Sequence, residues 1–216
     1  MYIKTGETFC GLFRLISERA EKHLSERSIS MDNGASSYRR FRDFGDESGL
    51  VEIIRDYKDG LILYINSFVC NIYTAEDLAE DTFVLLFIKK PKDNGKASFK
   101  TWLYAIGRNL AIDYLRRESK INRVPLESCA ELISEEESLE AAYIREEQKV
   151  LVHKALNKLK PEYRQVLWLA YFEEFSNKEI AYIMKKSVHN IETLSYRARK
   201  SLKAQLEMEG FIYEEL

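Results

Sequence analysis

The chain has 216 residues, of which 45% are hydrophobic and 31% charged, a balance typical of folded globular proteins. At roughly 100–200 residues per domain, this length accommodates one or two small domains. No apolar run approaches the roughly 20 residues of a membrane span, and Met1 to Cys10 lacks the pattern of a signal peptide. The three cysteines form no CxxC pair. We therefore expect a cytoplasmic protein without disulfides, metal, cofactor or membrane insertion.

The formal net charge of −2 hides a strong segregation of charge along the chain. Between residues 89 and 123, ten basic side chains are opposed by three acidic ones, and between 176 and 205 seven are opposed by two. The stretch 127–147 between these blocks carries eight glutamates and one arginine. Two basic blocks separated by an acidic connector suggest two surfaces that each meet a polyanion, although solvated helix faces would give the same pattern.

Apolar residues recur every three to four positions along much of the chain, and nothing alternates with the period of two typical of strands. The sequence therefore predicts an all-α fold. An amphipathic helix or helix pair is predicted over 50–72, Thr74 is a candidate N-cap for a helix that runs to about Ile88, and Ser98 is a candidate cap for a helix over 99–118. Further helices are predicted near 148–159, 161–173, 177–184 and 188–207.

These elements predict two small helical domains joined by an acidic linker. Arg123 to Leu126 interrupts the helical periodicity, and the glutamates that follow place the linker between the two basic blocks. The predicted division is an N-terminal extension over 1–48, a first domain over 49–119, a linker over 120–147, a second domain over 148–208 and a tail over 209–216.

The stretch 176–199 has the anatomy of a helix-turn-helix. Ser176 caps a short helix, residues 185–186 form the turn, and Ser187 caps a second helix. The side chains that should face the core recur at i, i+4, i+7 and i+11: Ile191, Ser195, Ala198 and Leu202. The opposite face carries residues suited to base edges and phosphates: His189, Asn190, Thr193, Tyr196, Arg197 and Lys200. A plain pair of packed helices is the alternative for this stretch.

The predicted helix over 99–118 mixes aromatic and basic residues. Lys100, Tyr104 and Arg108 lie at i, i+4 and i+8, as a polar stripe beside the apolar one. Basic groups can follow a nucleic-acid backbone, and aromatic rings can stack on unpaired bases at about 1–3 kcal/mol per base. Phe99 belongs to the core by its position, and Trp102 fits either a core or a base-stacking role. The helix therefore indicates either single-strand binding or ordinary packing.

Taken together, these segments resemble the sigma-70 family of bacterial RNA polymerase sigma factors, specifically its small group-4 or extracytoplasmic-function (ECF) members. The resemblance covers about Leu50 to Leu206 and includes the order of the domains. Ala75 to Phe83 resembles region 2.2 of the family, and Phe99 to Arg117 resembles regions 2.3 and 2.4. Leu159 to Leu169, together with the helix-turn-helix, resembles region 4. The short linker leaves no room for the family's middle domain, which indicates group 4.

The resemblance implies promoter-specific transcription initiation, with no catalytic residue and no cofactor. Its implied partners are core RNA polymerase, bound through the clamp helices and flap, and promoter DNA, with an anti-sigma factor as a further candidate. The positions matching the polymerase contacts of region 2.2 are Asp77, Glu80, Asp81 and Phe83. Those matching the segment that melts and reads the −10 element are Lys100, Trp102, Tyr104, Arg108, Asn109, Asp113 and Arg116. Those matching the helix that reads the −35 element are Asn190, Thr193, Leu194 and Arg197, to which the exposed helix face adds His189 and Lys200. Loop residues 92–98 correspond to the loop that captures a flipped base in the family.

The chain departs from the family pattern at several positions. Ala105 and Ile106 replace the tryptophan pair of primary sigma factors, which predicts dependence on a stricter promoter. Glu192 stands where many members have Lys, and Leu194 where many have Arg, so phosphate contacts and −35 preference should differ. Glu174 replaces a frequent glycine after a helix end, and a left-handed backbone there would cost about 1 kcal/mol.

The segment before Leu50 is longer than family members usually carry. Met31 begins a stretch that resembles ordinary sigma N-termini, so we expect an alternative start there and a dispensable segment 1–30. In the free protein, the charge order predicts that the acidic linker folds against the basic surfaces and suppresses DNA binding.

Two other function classes fit parts of the sequence. An autonomous helix-turn-helix regulator, dimeric on its operator, would explain the C-terminal motif but not the acidic turn 76–81 or the aromatic helix. An enzyme such as a hydrolase would need a catalytic cluster. His23, His153 and His189 lie far apart, and no HExxH motif, Gly-rich phosphate loop or nucleophile signature occurs.

Overall fold

A computed structural model describes residues 33–93, 95–122 and 151–209. Within these ranges the helices are α1 (Asn33–Phe44), α2 (Glu47–Val69), α3 (Ile72–Lys89), α4 (Phe99–Asn122), α5 (Pro161–Tyr171), α6 (Asn177–Met184) and α7 (Val188–Met208), and residues 151–157 are also helical. The described residues contain no strand, which confirms the all-α prediction. The predictions for Met31, for the segment 1–30, for the acidic linker beyond residue 122 and for the tail from 210 lie outside the described residues.

The two serines predicted to cap the helix-turn-helix do so. Ser176 Oγ accepts the backbone N–H of Glu179, and the Glu179 carboxylate accepts the N–H of Ser176 at 2.9 Å, which completes a capping box. Ser187 Oγ accepts the N–H of Asn190 at 3.2 Å. Both helices therefore begin where the sequence places them, because a side-chain oxygen satisfies an otherwise unpaired N–H in the first turn.

The ends of two other helices differ from the prediction. α3 begins before Thr74, because Asn71 Oδ1 accepts the N–H of Thr74 at 3.0 Å and is the N-cap itself. Ser98 does cap α4, with its Oγ accepting the N–H of Thr101 at 3.2 Å, but α4 continues to Asn122 rather than ending near residue 118. The helix predicted as one or two over 50–72 is the single helix α2.

Helices α1 to α4 share one apolar core. Tyr38 of α1 packs against Phe99 and Trp102 of α4, with ring centroids 5.4 and 5.3 Å apart. Gly49 allows α1 and α2 to approach, because a Cβ there would lie 2.2 Å from the carbonyl oxygen of Ser37. The N-terminal extension predicted over 1–48 therefore overlaps the first domain: its part from residue 33 onward packs into that domain's core.

Helices α5 to α7 and the stretch 151–157 contribute the buried side chains of the second domain. The predicted inward face of α7 is buried: Ile191, Ser195, Ala198 and Leu202. The two domains are also in contact, because α5 packs against α2 and α6 packs against α4. This contact places the second domain against the aromatic and basic helix of the first.

Candidate nucleic-acid interface

One face of α7 presents most of the residues predicted to read duplex DNA. Five of them are exposed: His189, Asn190, Tyr196, Arg197 and Lys200. Thr193 is half-buried beside them. Leu194 differs from the others because its side chain packs against the hydrophobic core and offers only part of its surface to a groove. The helix therefore offers polar groups near its N-terminus and cations further along.

Glu192, the acidic residue at a position where many family members have lysine, lies on this same exposed side of α7. Glu192 Oε2 is 4.0 Å from Nδ1 of His189, which forms an ion pair only when the imidazole is protonated. A carboxylate at this position repels DNA phosphates. Glu192 therefore lowers the positive potential of the face that Arg197 and Lys200 create.

The turn between α5 and α6 contains a strained residue. Glu174 has φ +57°, in the left-handed region that L residues other than glycine seldom occupy. This confirms the expectation for the position where family members often carry glycine. The strain costs about 1 kcal/mol and is held in place by the packing of the flanking Phe175, which is buried.

A second candidate surface is the outer face of α3. Asp77, Glu80 and Asp81 are exposed there, with Glu80 Oε1 3.4 Å from Nζ of Lys58. Phe83, in contrast, is only 5% exposed and packs into the core, so in this structure its side chain is not accessible to a partner.

Apolar side chains other than Phe83 are accessible beside these acids. Val84, Phe87 and Ile88 are 50%, 51% and 70% exposed, and Phe87 also stacks on Phe41 of α1 at 5.9 Å. Motif matching missed these three residues. The sequence contained one sign of them, because residues 83–88 are all apolar. Six consecutive residues go round a whole helix, so they cannot all lie on one buried face and some of their side chains must be exposed.

The polar stripe of α4 faces the second domain. Lys100 Nζ lies 3.0 Å from Oε2 of Glu173 and donates to the Glu173 carbonyl oxygen at 3.1 Å. The Tyr104 hydroxyl donates to the same Oε2 at 2.7 Å. Arg108 Nε donates to Oε1 of Gln165, a buried residue of α5, at 2.9 Å. All three predicted stripe residues therefore contact residues beyond the linker.

Aromatic packing surrounds these hydrogen bonds. Tyr104, 1% exposed, stacks on Tyr64 at 5.5 Å and meets the ring of Phe175 edge-on at 5.2 Å. Lys100 Nζ lies 4.8 Å from the centre of the Phe175 ring, within cation–π range. Burial raises the pKa of the Tyr64 hydroxyl, and the positive charge of Arg108 only partly offsets that effect. The hydroxyl therefore stays protonated at neutral pH.

A further hydrogen bond joins α4 to the start of α6. Thr101 Oγ1 donates to Oε1 of Glu179 at 3.0 Å. Burial pushes the pKa of Glu179 upward. The hydrogen bonds from Ser176 and Thr101 and the nearby charge of Lys100 outweigh burial, so the net pKa is below the usual value. Glu179 is thus held ionised against α4.

The other residues predicted for the melting segment do not face the second domain as a group: one lies in the core and the others lie nearer the surface. Trp102 is 7% exposed, enclosed by Tyr38 and Phe99, which is a core position rather than a base-stacking one. Asn109 is half-buried. Asp113 and Arg116 are exposed and pair with each other at 3.2 Å.

The loop before α4 is tied to α1. The Tyr38 hydroxyl donates to the carbonyl oxygen of Pro91 at 2.7 Å, and burial raises the pKa of Tyr38 to about 12. Asp93 accepts the N–H of Gly95 at 3.0 Å, and Gly95 takes φ +65°. The loop thus leaves its lysines 92 and 96 exposed beside α4.

The described ranges hold neither a metal site nor a membrane-spanning helix. No cluster of three or more His, Cys, Asp or Glu there has the geometry to hold a metal ion. None of the helices described combines the length and apolar character that a membrane crossing demands.

Comparison with known proteins identifies the family. The model of Sigma-70 region 2 matches residues 53–121, and the model of Sigma-70, region 4 matches residues 149–202. The RNA polymerase sigma factor YlaC of Bacillus subtilis is 30% identical over 162 residues, which are 72% of this chain and 90% of YlaC. The chain belongs to the sigma-70 family. The ECF RNA polymerase sigma factor SigW of the same bacterium is 27% identical over 75% of this sigma factor and 91% of SigW.

A solved structure shows the same fold. The sigma factor RpoE, in complex with the anti-sigma factor NepR from Bartonella quintana, has a TM-score of 0.56 and 24% identity, over 77% of this chain and 98% of that one. The region 2 match begins within α2. Helix α1 of this sigma factor therefore lies before the matched segment and still packs into its core.

Proposed function

We infer that this ECF-type sigma factor binds core RNA polymerase and directs promoter-specific transcription initiation. The observation that carries the inference is the presence of regions 2 and 4 in one chain, in family order. Catalysis stays with the polymerase, so the chain needs no catalytic residue or cofactor of its own. Its site of action is then the cytoplasm, where the polymerase works.

The outer face of α3 is the proposed docking surface for the polymerase clamp helices. Its acids Asp77, Glu80 and Asp81 would meet basic side chains and steer association. Val84 and Phe87 supply an apolar centre next to this charged rim, which is the arrangement typical of protein interfaces. Phe83 then supports the surface from beneath rather than touching the partner.

The stripe of α4 and the loop before it form the proposed surface for the −10 element. Lys100, Arg108 and Arg116 would meet the phosphates of the separated strand, and Tyr104 would stack on an unpaired base. Asn109 and Asp113 lie beside them as candidate polar contacts. Trp102 contributes by holding α4 against α1, because it is buried between their side chains.

The exposed face of α7 is the proposed reader of the −35 element. His189, Asn190 and Thr193 lie in its first turns, where side chains reach base edges in a major groove. Arg197 and Lys200 follow and would bind phosphates. Leu194 would offer an apolar contact, such as one to a thymine methyl group.

An anti-sigma factor is a further proposed partner. The support is that RpoE, which shares this fold, is bound to the anti-sigma factor NepR in its solved structure. Such a partner would act by covering the surfaces that polymerase or DNA requires.

Charge reversal on α3 tests the proposal. Asp77→Arg with Asp81→Arg should abolish co-purification with core polymerase, because two attractive contacts become repulsive. The matched control is Glu47→Arg with Asp59→Arg, the same charge change at exposed positions of α2. Unchanged polymerase binding by the α3 variant would refute the docking surface. Tight, sequence-specific duplex binding without polymerase would instead support the autonomous helix-turn-helix regulator.

A further inference from the structure

The part of α7 that is proposed to read duplex DNA carries one acidic side chain between residues 188 and 200, which is Glu192. It is the fifth residue of the helix, and its side chain is 57% exposed. His189 lies three positions before it and Tyr196 four positions after it, so both share its side of the helix, and both are exposed. Glu192 therefore lies in the first turns of α7, where a helix of this type brings side chains to base edges.

The Glu192 carboxylate keeps its hydrogen-bonding capacity for an external donor. Among the described residues its one ion-pair partner is His189, whose Nδ1 is 4.0 Å away, too far for a hydrogen bond. Arg197 and Lys200 lie about 7.5 and 12 Å further along the helix axis, at about 1.5 Å per residue. The acid and these two cations therefore act at different points along a groove.

The edges of the four bases differ in what they offer to a carboxylate. An ionised carboxylate accepts hydrogen bonds and donates none. In the major groove, cytosine presents the N4 amino group as a donor, whereas guanine presents the acceptors N7 and O6, and thymine presents the acceptor O4 and a methyl group. Adenine places the acceptor N7 beside its N6 donor, a combination that suits a side-chain amide. A carboxylate that enters the groove therefore matches cytosine and opposes the other three bases.

We propose that Glu192 is a specificity-determining residue of this sigma factor, which reads a cytosine of the −35 element by accepting a hydrogen bond from the N4 amino group. The inference rests on the proposed function, since it assumes that α7 enters the major groove of that element. It gives Glu192 a role beyond lowering the positive potential of the helix.

The carboxylate would act largely by rejecting other sequences. Beside a base pair that offers no donor, it loses water, gains no hydrogen bond and stays close to the phosphates. Sequences that lack the cytosine are therefore penalised. One wrong base pair at a position that a protein reads lowers affinity by about fivefold to 150-fold. We expect about tenfold here, because a paired cytosine has only one N4 hydrogen free to donate.

Selection of promoter DNA tests the inference. The full-length chain and core polymerase are incubated with duplexes randomised around position −35, and the bound DNA is sequenced. The wild-type complex should enrich a cytosine at one position. At that position Glu192→Gln should prefer adenine, because an amide bonds to both N6 and N7. Glu192→Lys should prefer guanine, because an ammonium donates to O6 and N7.

Glu207 supplies the matched control on the same helix. Glu207→Gln and Glu207→Lys make the same charge changes at an exposed position in the last turn of α7, beyond the turns proposed to reach base edges. Both lysine variants should raise the affinity for all sequences, because added positive charge attracts phosphates. Only the Glu192 variants should change the preferred base.

A second measurement uses one selected duplex. Replacing its cytosine by thymine should lower the affinity of the wild-type complex about tenfold and that of the Glu207→Gln complex equally. An unchanged preferred base in Glu192→Gln and Glu192→Lys would overturn the inference, as would a uniform gain in affinity without a change of base. A wild-type complex that selects no sequence around position −35 would refute the proposed function of α7 together with the role of Glu192.

Discussion

The Tyr104 hydroxyl lies 2.7 Å from the Glu173 carboxylate, across 69 positions of sequence. This bond joins the helix proposed to bind the −10 element to the domain proposed to read the −35 element. Tyr104 is almost fully buried, with its ring against those of Tyr64 and Phe175. A sigma factor in this conformation cannot present the Tyr104 ring to a base until the two domains separate.

Replacing Arg197 tests the duplex-reading face of α7. Arg197→Ala should weaken binding of the polymerase–sigma complex to duplex promoter DNA and reduce the slope of log affinity against log salt by about one. Lys203→Ala is the control, because it removes the same charge further along α7, where Lys203 lies 3.8 Å from Glu207. A salt slope unchanged by Arg197→Ala would show that this side chain meets no phosphate.

Replacing Val84 tests the apolar part of the docking surface on α3. Val84→Asp should weaken association with core polymerase by about 1–3 kcal/mol, because it places a desolvated carboxylate at the interface. Val51→Asp makes the same change at an exposed valine of α2 and should leave association intact. Surface plasmon resonance on immobilised polymerase would measure both, and equal affinities for the two variants would contradict the assignment.

Trp102 should behave as a core residue. Trp102→Ala should lower the free energy of unfolding by about 3–5 kcal/mol, because it empties the space between Tyr38 and Phe99. Trp102→Phe, which keeps a ring, should cost clearly less. Urea denaturation followed by circular dichroism would measure both. A cost for the alanine variant within about 0.5 kcal/mol would mean that the indole is a surface group.

Glu174 should be a site where glycine stabilises the protein. Glu174→Gly relieves the left-handed strain of about 1 kcal/mol but makes the unfolded chain more flexible, so the expected net gain in unfolding free energy is only about 0.5 kcal/mol. Glu207→Gly makes the same substitution in the last turn of α7, where the backbone is right-handed and carries no such strain, and should not stabilise the protein. Thermal denaturation would compare them, and a loss of stability in Glu174→Gly would argue against strain at this turn.

Local features of this fold were predictable from the sequence because local chemistry determines them. Ser176 and Ser187 cap their helices through residues three positions away. The inward face of α7 follows from helical periodicity. The strain at Glu174 was predicted from the family resemblance, because a glutamate occupies a turn position where family members often have glycine.

The errors arose where a sequence pattern leaves more than one outcome open. Asn71 rather than Thr74 caps α3, although either of these polar residues, three positions apart, is of a type that caps helices. Phe83 matched a contact motif, yet packing of α3 against the core turns it inward and leaves Val84 and Phe87 outside. A pattern can show that an apolar run is too wide to be buried, but not which side remains exposed.

The contact between the domains could not be predicted from the sequence either. The polar stripe Lys100, Tyr104 and Arg108 was identified from its spacing, but its partners Gln165 and Glu173 lie beyond the linker. Charge order alone favoured the linker glutamates as the groups that cover the basic surfaces. Only the packing of α6 against α4 singles out Glu173.

The most direct test of the central claim is transcription in vitro with core RNA polymerase of the source bacterium, fragmented genomic DNA and the purified full-length chain. Sequencing of the RNA 5′ ends should reveal a discrete set of start sites that require the chain and that disappear with the Asp77→Arg, Asp81→Arg variant. The same 5′ ends with and without the chain would contradict its assignment as a promoter-specificity factor.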